Sequence, residues 1–285
     1  MKHQIEKAEV LIEALPYIQQ FRGTSIIIKY GGSAMVDEKL KQHIVLDTIL
    51  MRYVGINVIV VHGGGHKITE YMHKMDKKAV FLDGMRVTDA ETMNITEMIL
   101  TGLVNKDIVA RIHKHGGNAV GLSGKDGRLI EAKKLIHDTH DYGYVGEITK
   151  INAEILRTLD NSGFVPVISP IGIGTDGVTY NINADIAASE IAIATGAEKL
   201  IFLTDVPGIC TTPNEPKSLI NTINHDTINT LIADGSISGG MLPKVKAGLR
   251  ALEHGIKKVH IIDGRISHSI LLELFTESGI GTEIV

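Results

Sequence analysis

Apolar residues recur along the chain in two alternating patterns, one with a helical period and one in short unbroken runs. At the start, Ile5, Ala8, Leu11 or Ile12, Leu15 and Ile18 return every three or four residues, lining one face of a helix interrupted near Pro16. Unbroken runs follow at residues 25–29 (SIIIK), 57–61 (NVIVV), 118–122 (NAVGL), 164–168 (FVPVI), 199–204 (KLIFLT) and 258–262 (KVHII). Residues 36–54, 68–74, 89–115, 152–161, 185–195, 241–254 and 269–276 carry helical spacing, with Asp89 at an N-cap position. Residues 128–146 read as a β-rich excursion. Apolar strands alternating with helices predict an α/β chain whose mainly parallel sheet is buried on both faces. At 285 residues the chain is long for one core, so two lobes are expected, with a boundary near Gly196.

Composition removes several classes of function. The net charge is −4, from 29 basic and 33 acidic side chains, which gives no footprint for nucleic acid and no polybasic membrane patch. No apolar run reaches the ~18 residues of a membrane span, and the charged first twenty residues lack the core of a signal peptide. The single cysteine, Cys210, excludes a disulfide framework and a multi-thiolate zinc site, so a cytoplasmic setting is expected. The thirteen histidines form no metal-ligand set and read mostly as solvated surface; no protein-held metal is expected. Glycine is the outlier, at 30 of 285 residues against a usual share of about 7%.

Those glycines fall where strands turn into helices. Lys29-Tyr-Gly-Gly-Ser33 and His62-Gly-Gly-Gly-His66 each close an apolar run. In open α/β sheets ligands bind beyond the carboxyl ends of strands, where helix N-termini offer free N–H groups to anions. Two such loops, one preceded by a lysine, favour an anion site over plain turns. The familiar alternatives fail. Gly124-Lys125 is followed by Asp126 and lacks the first glycine of a Walker loop, no dinucleotide fingerprint follows an early strand, and the lipase-like His-Gly-Gly-Gly has no accompanying nucleophile elbow.

Polar residues gather at further strand ends. Arg86, beside the turn Leu82-Asp83-Gly84, could grip a carboxylate with two parallel bonds or form a surface salt bridge. Asn181-Ile-Asn-Ala-Asp185 precedes an apolar helix; a cap accounts for one of its three polar side chains and leaves two. Lys244 stands in the first turn of a helix after Ser238-Gly-Gly, against the dipole, which suits a lysine facing an anion. Thr204-Asp-Val-Pro-Gly208 could hold a nucleotide or metal, or be a simple turn.

Taken together, IIIKYGGSAM (26–35), VIVVHGGGHKI (58–68), DGMRVTDAETM (83–93), GYVGEI (143–148), VISPIGIGTDGVTYNINADIAASEIA (167–192), LIFLTDVPGI (200–209) and SGGMLPKV (238–245) resemble the amino acid kinase family, specifically its acylglutamate kinases. His66-Lys67 departs from the smaller pair expected there. The resemblance implies a three-layer αβα sandwich, with an N-terminal helical extension (1–24), an acyl-amino-acid lobe (25–195) and an ATP lobe (196–285). It implies phosphorylation of the γ-carboxylate of N-acetyl-L-glutamate by ATP with Mg²⁺, in arginine biosynthesis. Lys29 and Lys244 match lysines that contact the transferring phosphoryl group, and Asp185 matches the aspartate that orients them. Gly31, Gly32, Thr204 and Asp205 match the nucleotide side; Gly64, Gly65, Arg86 and Asn181 match the acceptor side. The physics agrees: a carboxylate acceptor is already ionised near neutrality, so it needs charge neutralisation and no general base.

The resemblance extends to the chain ends. The N-terminal helix looks like the extension that interlaces dimers into hexamers in arginine-inhibited members, as a trimer of dimers. Tyr17, Lys199, His268, Glu273 and Gly279 match their L-arginine site. A kinase for a related acyl amino acid, such as an N-acylaminoadipate, is the alternative among enzymes. A nucleotide- or arginine-sensing binding module is the alternative outside them, disfavoured by retention of Lys29, Lys244 and Asp185.

Overall fold

The computed structural model describes residues 1–82, 84–212 and 215–285; Asp83 of the sequence-read turn lies outside them. Eight strands build the central sheet: β1 (Ser25–Tyr30), β2 (Asn57–His62), β3 (Ala119–Ser123), β4 (Val165–Ser169), β5 (Lys199–Thr204), β6 (Thr222–Ile223), β7 (Lys258–Asp263) and β8 (Thr282–Ile284). Their spatial order is β6-β8-β7-β5-β1-β2-β4-β3. All neighbours run parallel except β7 and β8.

The helices are α1 (Lys2–Glu13), α2 (Leu15–Phe21), α3 (Glu38–Tyr53), α4 (Gly65–Lys74), α5 (Ala90–Glu97), α6 (Asn105–Lys114), α7 (Glu154–Asn161), α8 (Ala184–Thr195), α9 (His225–Ala233), α10 (Met241–Glu253) and α11 (Ser269–Leu274). Between α5 and α6 the wider π turn Met98–Val104 keeps the chain helical, so the 89–115 segment is one long rod with a bulge, capped by Asp89, which accepts from the N–H of Thr92. A small four-stranded sheet of residues 130–134, 146–151, 171–173 and 179–181 forms the excursion, and a hairpin joins 81–82 to 85–86.

The inner strands feed both faces, as a period of two demands. Ile26 and Ile28 enter one core with the apolar faces of α3, α4, α6 and α11, while Ile27 enters the other with α7, α8, α9 and α10. Val58 and Val60 divide from Ile59 and Val61 in the same way. The result is the expected αβα sandwich. At the expected lobe boundary the sheet is continuous, because β1 pairs directly with β5, Ile26 opposite Lys199 through Lys29 opposite Phe202. No helix among the described residues is long and apolar enough to cross a membrane.

Candidate active site

β1 lies at the middle of the sheet, so its last residues emerge at the centre of the carboxyl edge. There Lys29 is nearly buried, its Nζ 3.0 Å from Asp185 Oδ1. Asp185 Oδ2 accepts a hydrogen bond from Lys244 Nζ, also at 3.0 Å. The Lys29 contact is an ion pair off the hydrogen-bonding direction, so Oδ1 has no directional donor among the described residues. Asn183 caps α8, its Oδ1 accepting from the N–H groups of Asp185 and Ile186 at 2.8 and 3.2 Å, which leaves the Asp185 carboxylate for the lysines. Ser189 donates to the Ala247 carbonyl at 2.7 Å, locking α8 to α10 and so fixing the span between Asp185 and Lys244. Burial acts to raise the Asp185 pKa, but the two ammonium groups outweigh it and hold the carboxyl below its ordinary value. The three residues read from sequence as the catalytic set therefore converge on one point.

The two glycine loops adjoin this point. Gly63 donates its N–H to the Tyr30 carbonyl at 2.7 Å, bringing the loop after β2 against the loop after β1. Gly32 has φ +69°, and a Cβ there would come within 1.9 Å of Asp205 Oδ1. Only glycine lets that carboxylate approach the loop. Gly64 and Gly65 open α4, and no described residue accepts from their N–H groups. The helix dipole and these donors favour negative charge in front of them.

Arg86 and Asn181, the residues expected to meet the acceptor, are linked through Thr88. Arg86 Nη2 donates to the Gly65 carbonyl at 2.9 Å and to Thr69 Oγ1 at 2.8 Å, so the guanidinium is aimed along the start of α4, with the Phe81 ring 4.7 Å away. Asn181 Nδ2 donates to Thr88 Oγ1 at 3.2 Å, and Thr88 donates to the Arg86 carbonyl at 2.9 Å. Both predicted substrate contacts thus belong to one connected edge.

On the other side of Lys29 and Lys244 opens a cleft of about 640 Å³. Gly32, Thr204 and Asp205 line it, as read from sequence, whereas Gly31 stands beside it, its Cβ direction 2.7 Å from Lys29 Nζ. The Thr204 hydroxyl is spent on its own turn, donating to the Val206 carbonyl at 2.8 Å. Sequence reading missed Arg265, Ser236 and Ile237 of the lining. Arg265 is held in a two-pronged grip by Asp263, with Nη2 to Oδ2 at 2.7 Å. The signal was present as Asp263-Gly264-Arg265, a further glycine turn after a strand. Among the described residues no group of three His, Cys, Asp or Glu side chains could hold a metal ion.

A second polar cluster lies at the chain ends. Lys199 Nζ donates to His260 Nε2 at 2.9 Å, and His260 Nδ1 donates to Glu273 Oε1 at 2.6 Å. Glu273 Oε2 accepts from the N–H groups of Ile280 and Gly281, beside Gly279, whose Cβ direction is closed by the same oxygen at 2.7 Å. Lys199 also lies 5.2 Å over the Phe21 ring of α2, and Tyr17 meets Phe275 edge-on at 6.4 Å. His268 stands apart: its ring bonds Asp47 Oδ1 at 2.5 Å and stacks on His43 at 4.3 Å. His260, buried in a strand, takes the place next to Glu273. His62 and His260 are thus interior residues and not solvated surface, because each meets its hydrogen-bonding needs inside.

The amino acid kinase family model matches residues 24–263, and the chain belongs to that family. This chain is an enzyme of the kinase class. Relatives carrying the name acetylglutamate kinase match end to end: one from Moorella thermoacetica is 51% identical over 99% of this chain and 98% of its own, and one from Aquifex aeolicus is 52% identical over 100% and 99%. Among solved structures, N-acetylglutamate synthase from Neisseria gonorrhoeae, complexed with coenzyme A and N-acetyl-glutamate, superposes with a TM-score of 0.85 at 26% identity. The match covers 98% of this chain and 63% of that one, so this chain spans less than two thirds of the synthase. The same synthase complexed with coenzyme A and L-arginine gives a TM-score of 0.83 at 25% identity, covering 98% of this chain and 65% of that one.

Proposed function

We propose that the chain transfers the γ-phosphoryl group of ATP to the γ-carboxylate of N-acetyl-L-glutamate, yielding N-acetyl-L-glutamyl 5-phosphate and ADP in arginine biosynthesis. The observation that carries this reading is Asp185 pairing with both Lys29 and Lys244, between an open cleft and the N–H groups of Gly64 and Gly65, from which no described residue accepts. The cleft takes the nucleotide, Arg86 the acceptor's α-carboxylate and Asn181 its acetamide. The bond between the γ-phosphorus and the β,γ-bridging oxygen breaks as a carboxylate oxygen bonds to phosphorus. The acceptor carries no proton to remove, so the work is positioning and neutralisation of charge between two anions. Mg²⁺ on the phosphates would add to that neutralisation.

The reading extends to feedback by L-arginine. Lys199, Glu273 and Gly279, with Tyr17 nearby on α2, offer opposite charges for an amino acid's two ends, and His268 lies at the head of α11 in the same C-terminal segment. Leu11 and Leu15 remain exposed on the N-terminal helices, which supports burial against another copy and a hexamer built as a trimer of dimers. The two-lobe division at residue 196 and a cytoplasmic setting belong to the same proposal.

A coupled assay for ADP release tests the central claim. ADP should appear with ATP, Mg²⁺ and N-acetyl-L-glutamate together, and far more slowly with N-acetyl-L-aminoadipate. Preference for the longer acceptor, or no release with either, would overturn it.

A further inference from the structure

Beneath the glycine loop after β2 lies a buried polar network that the transfer chemistry above leaves unused. His62, the last residue of β2, is fully buried, with Nδ1 2.8 Å from the carbonyl oxygen of Gly63. A carbonyl only accepts, so Nδ1 carries the proton and donates. Nε2 is then the acceptor. Asn105 Nδ2 donates to it at 3.2 Å and to the Val167 carbonyl at 2.9 Å. Ser169 Oγ lies 3.0 Å from the same nitrogen and 3.2 Å from the Leu100 carbonyl. Burial holds the ring neutral, its pKa lowered to about 4, and its hydrogen-bond partners select this tautomer.

The orientation of one carbonyl decides the orientation of the next N–H. In a trans peptide the two point in opposite directions, and no peptide bond here is cis. Drawing the Gly63 carbonyl onto the buried His62 ring turns the Gly64 N–H away from the core, where no described residue accepts from it. The Gly64 backbone, at φ +157°, is closed on its other side by Leu100, whose Cδ2 would lie 2.6 Å from a Cβ. Leu100 belongs to the π turn, and its carbonyl accepts the backbone N–H of Asn105. Asn105 thus both closes that turn and orients the imidazole.

We propose that His62 is a positioning residue: by holding the Gly63 carbonyl, with Asn105 fixing its tautomer, it presents the Gly64 N–H to the oxygen that gains charge during phosphoryl transfer. The proposal rests on the phosphotransfer reading above. It accounts for a histidine in this loop without giving it a proton to move.

Two variants separate the hydrogen bond from the packing. Asparagine places its amide nitrogen where Nδ1 stood, whereas leucine fills the space and donates nothing. His62→Leu should lower turnover about 100-fold, the scale of one lost transition-state donor. The KM for ATP should stay within about twofold, and His62→Asn should recover turnover to within about tenfold of the unsubstituted enzyme. Near-normal turnover in His62→Leu, or His62→Asn as slow as His62→Leu, overturns the proposal. Should the leucine variant not fold, His62→Gln replaces it, since its amide reaches the Nε2 position and misses the Gly63 carbonyl. If the unsubstituted protein does not phosphorylate N-acetyl-L-glutamate, the functional reading falls, and crystal structures read the positioning directly. A rotated Gly63–Gly64 peptide in the variant without a donor is expected; an unmoved peptide refutes it.

Discussion

Replacing Asp185 with asparagine keeps the shape of the site and removes the charge between its two lysines. Each ammonium lies 3.0 Å from a different carboxylate oxygen. With an effective dielectric constant near 20, each pair is worth about 5 kcal/mol of attraction, much of it offset by the cost of taking three charges out of water. Removing one member of a buried ionic group typically costs about 3–5 kcal/mol, because the remaining charges stay buried and unpaired. For a chain of this size that lowers Tm by roughly 10 °C. Turnover should fall by about 10²–10³-fold, since neither lysine is then held against the transferring group. Nucleotide phosphates bring back negative charge, so saturating ATP analogue should narrow the Tm gap. Thermal melts with and without the analogue, beside the coupled assay, make the test. The pH dependence has a definite sign. The folded-state pKa of Asp185 is depressed below its ordinary 3.8, so its stabilisation is fully present above that value and is lost only as pH falls through the lower folded value. The gap between the two proteins should therefore stay flat from pH 6 to 8. An Asp185→Asn protein that melts like the unsubstituted one without nucleotide, or a gap that closes within that window, would refute the reasoning.

Arg86→Lys keeps the charge and loses the planar guanidinium whose Nη2 donates to Gly65 and Thr69; the KM for the acyl amino acid should rise with that for ATP unchanged, and equal shifts in both would place Arg86 elsewhere. Lys199→Ala removes the donor that faces His260, and should weaken inhibition by L-arginine while leaving both KM values alone, as an arginine titration would reveal. Deleting residues 1–20 removes α1 and most of α2, and light scattering should then find a smaller oligomer that is active and weakly sensitive to arginine. An unchanged mass with an unchanged inhibition curve would remove the N-terminal helices from both roles.

The central strands were legible because β1, β2 and β5 are buried on both faces, and a strand with two dry faces must be an unbroken apolar run. The edge was not. β6 and β8 have two and three residues, too short to show a period, and α9 lies in a stretch that was not read as helix. Glycine turns marked the loops around the site, and Lys244, set against the dipole in a helix's first turn, pointed to negative charge beside it. The Asn181–Asp185 stretch shows where reading along the chain stops. A cap was predictable there, and Asn183 makes it; that Asp185 is then left to bind Lys244, 59 residues further on, depends on α10 packing against α8.

Local chemistry along the sequence thus determined which segments are strands, where the chain turns and which side chains seek a negative charge, since period, glycine and helix polarity act within a few residues. Which of those side chains meet was decided by the sheet order. β1 lies between β2 and β5, so Lys29, the Gly63–Gly65 loop and the Thr204 turn emerge side by side from strands far apart in the chain. The same holds for the buried histidines. In sequence His260 is one polar residue in an apolar strand and His268 opens a helix, and only packing puts the first between Lys199 and Glu273 and the second on Asp47 of α3. A buried polar group is defined by the partners that satisfy it, and those partners come from other elements of the fold.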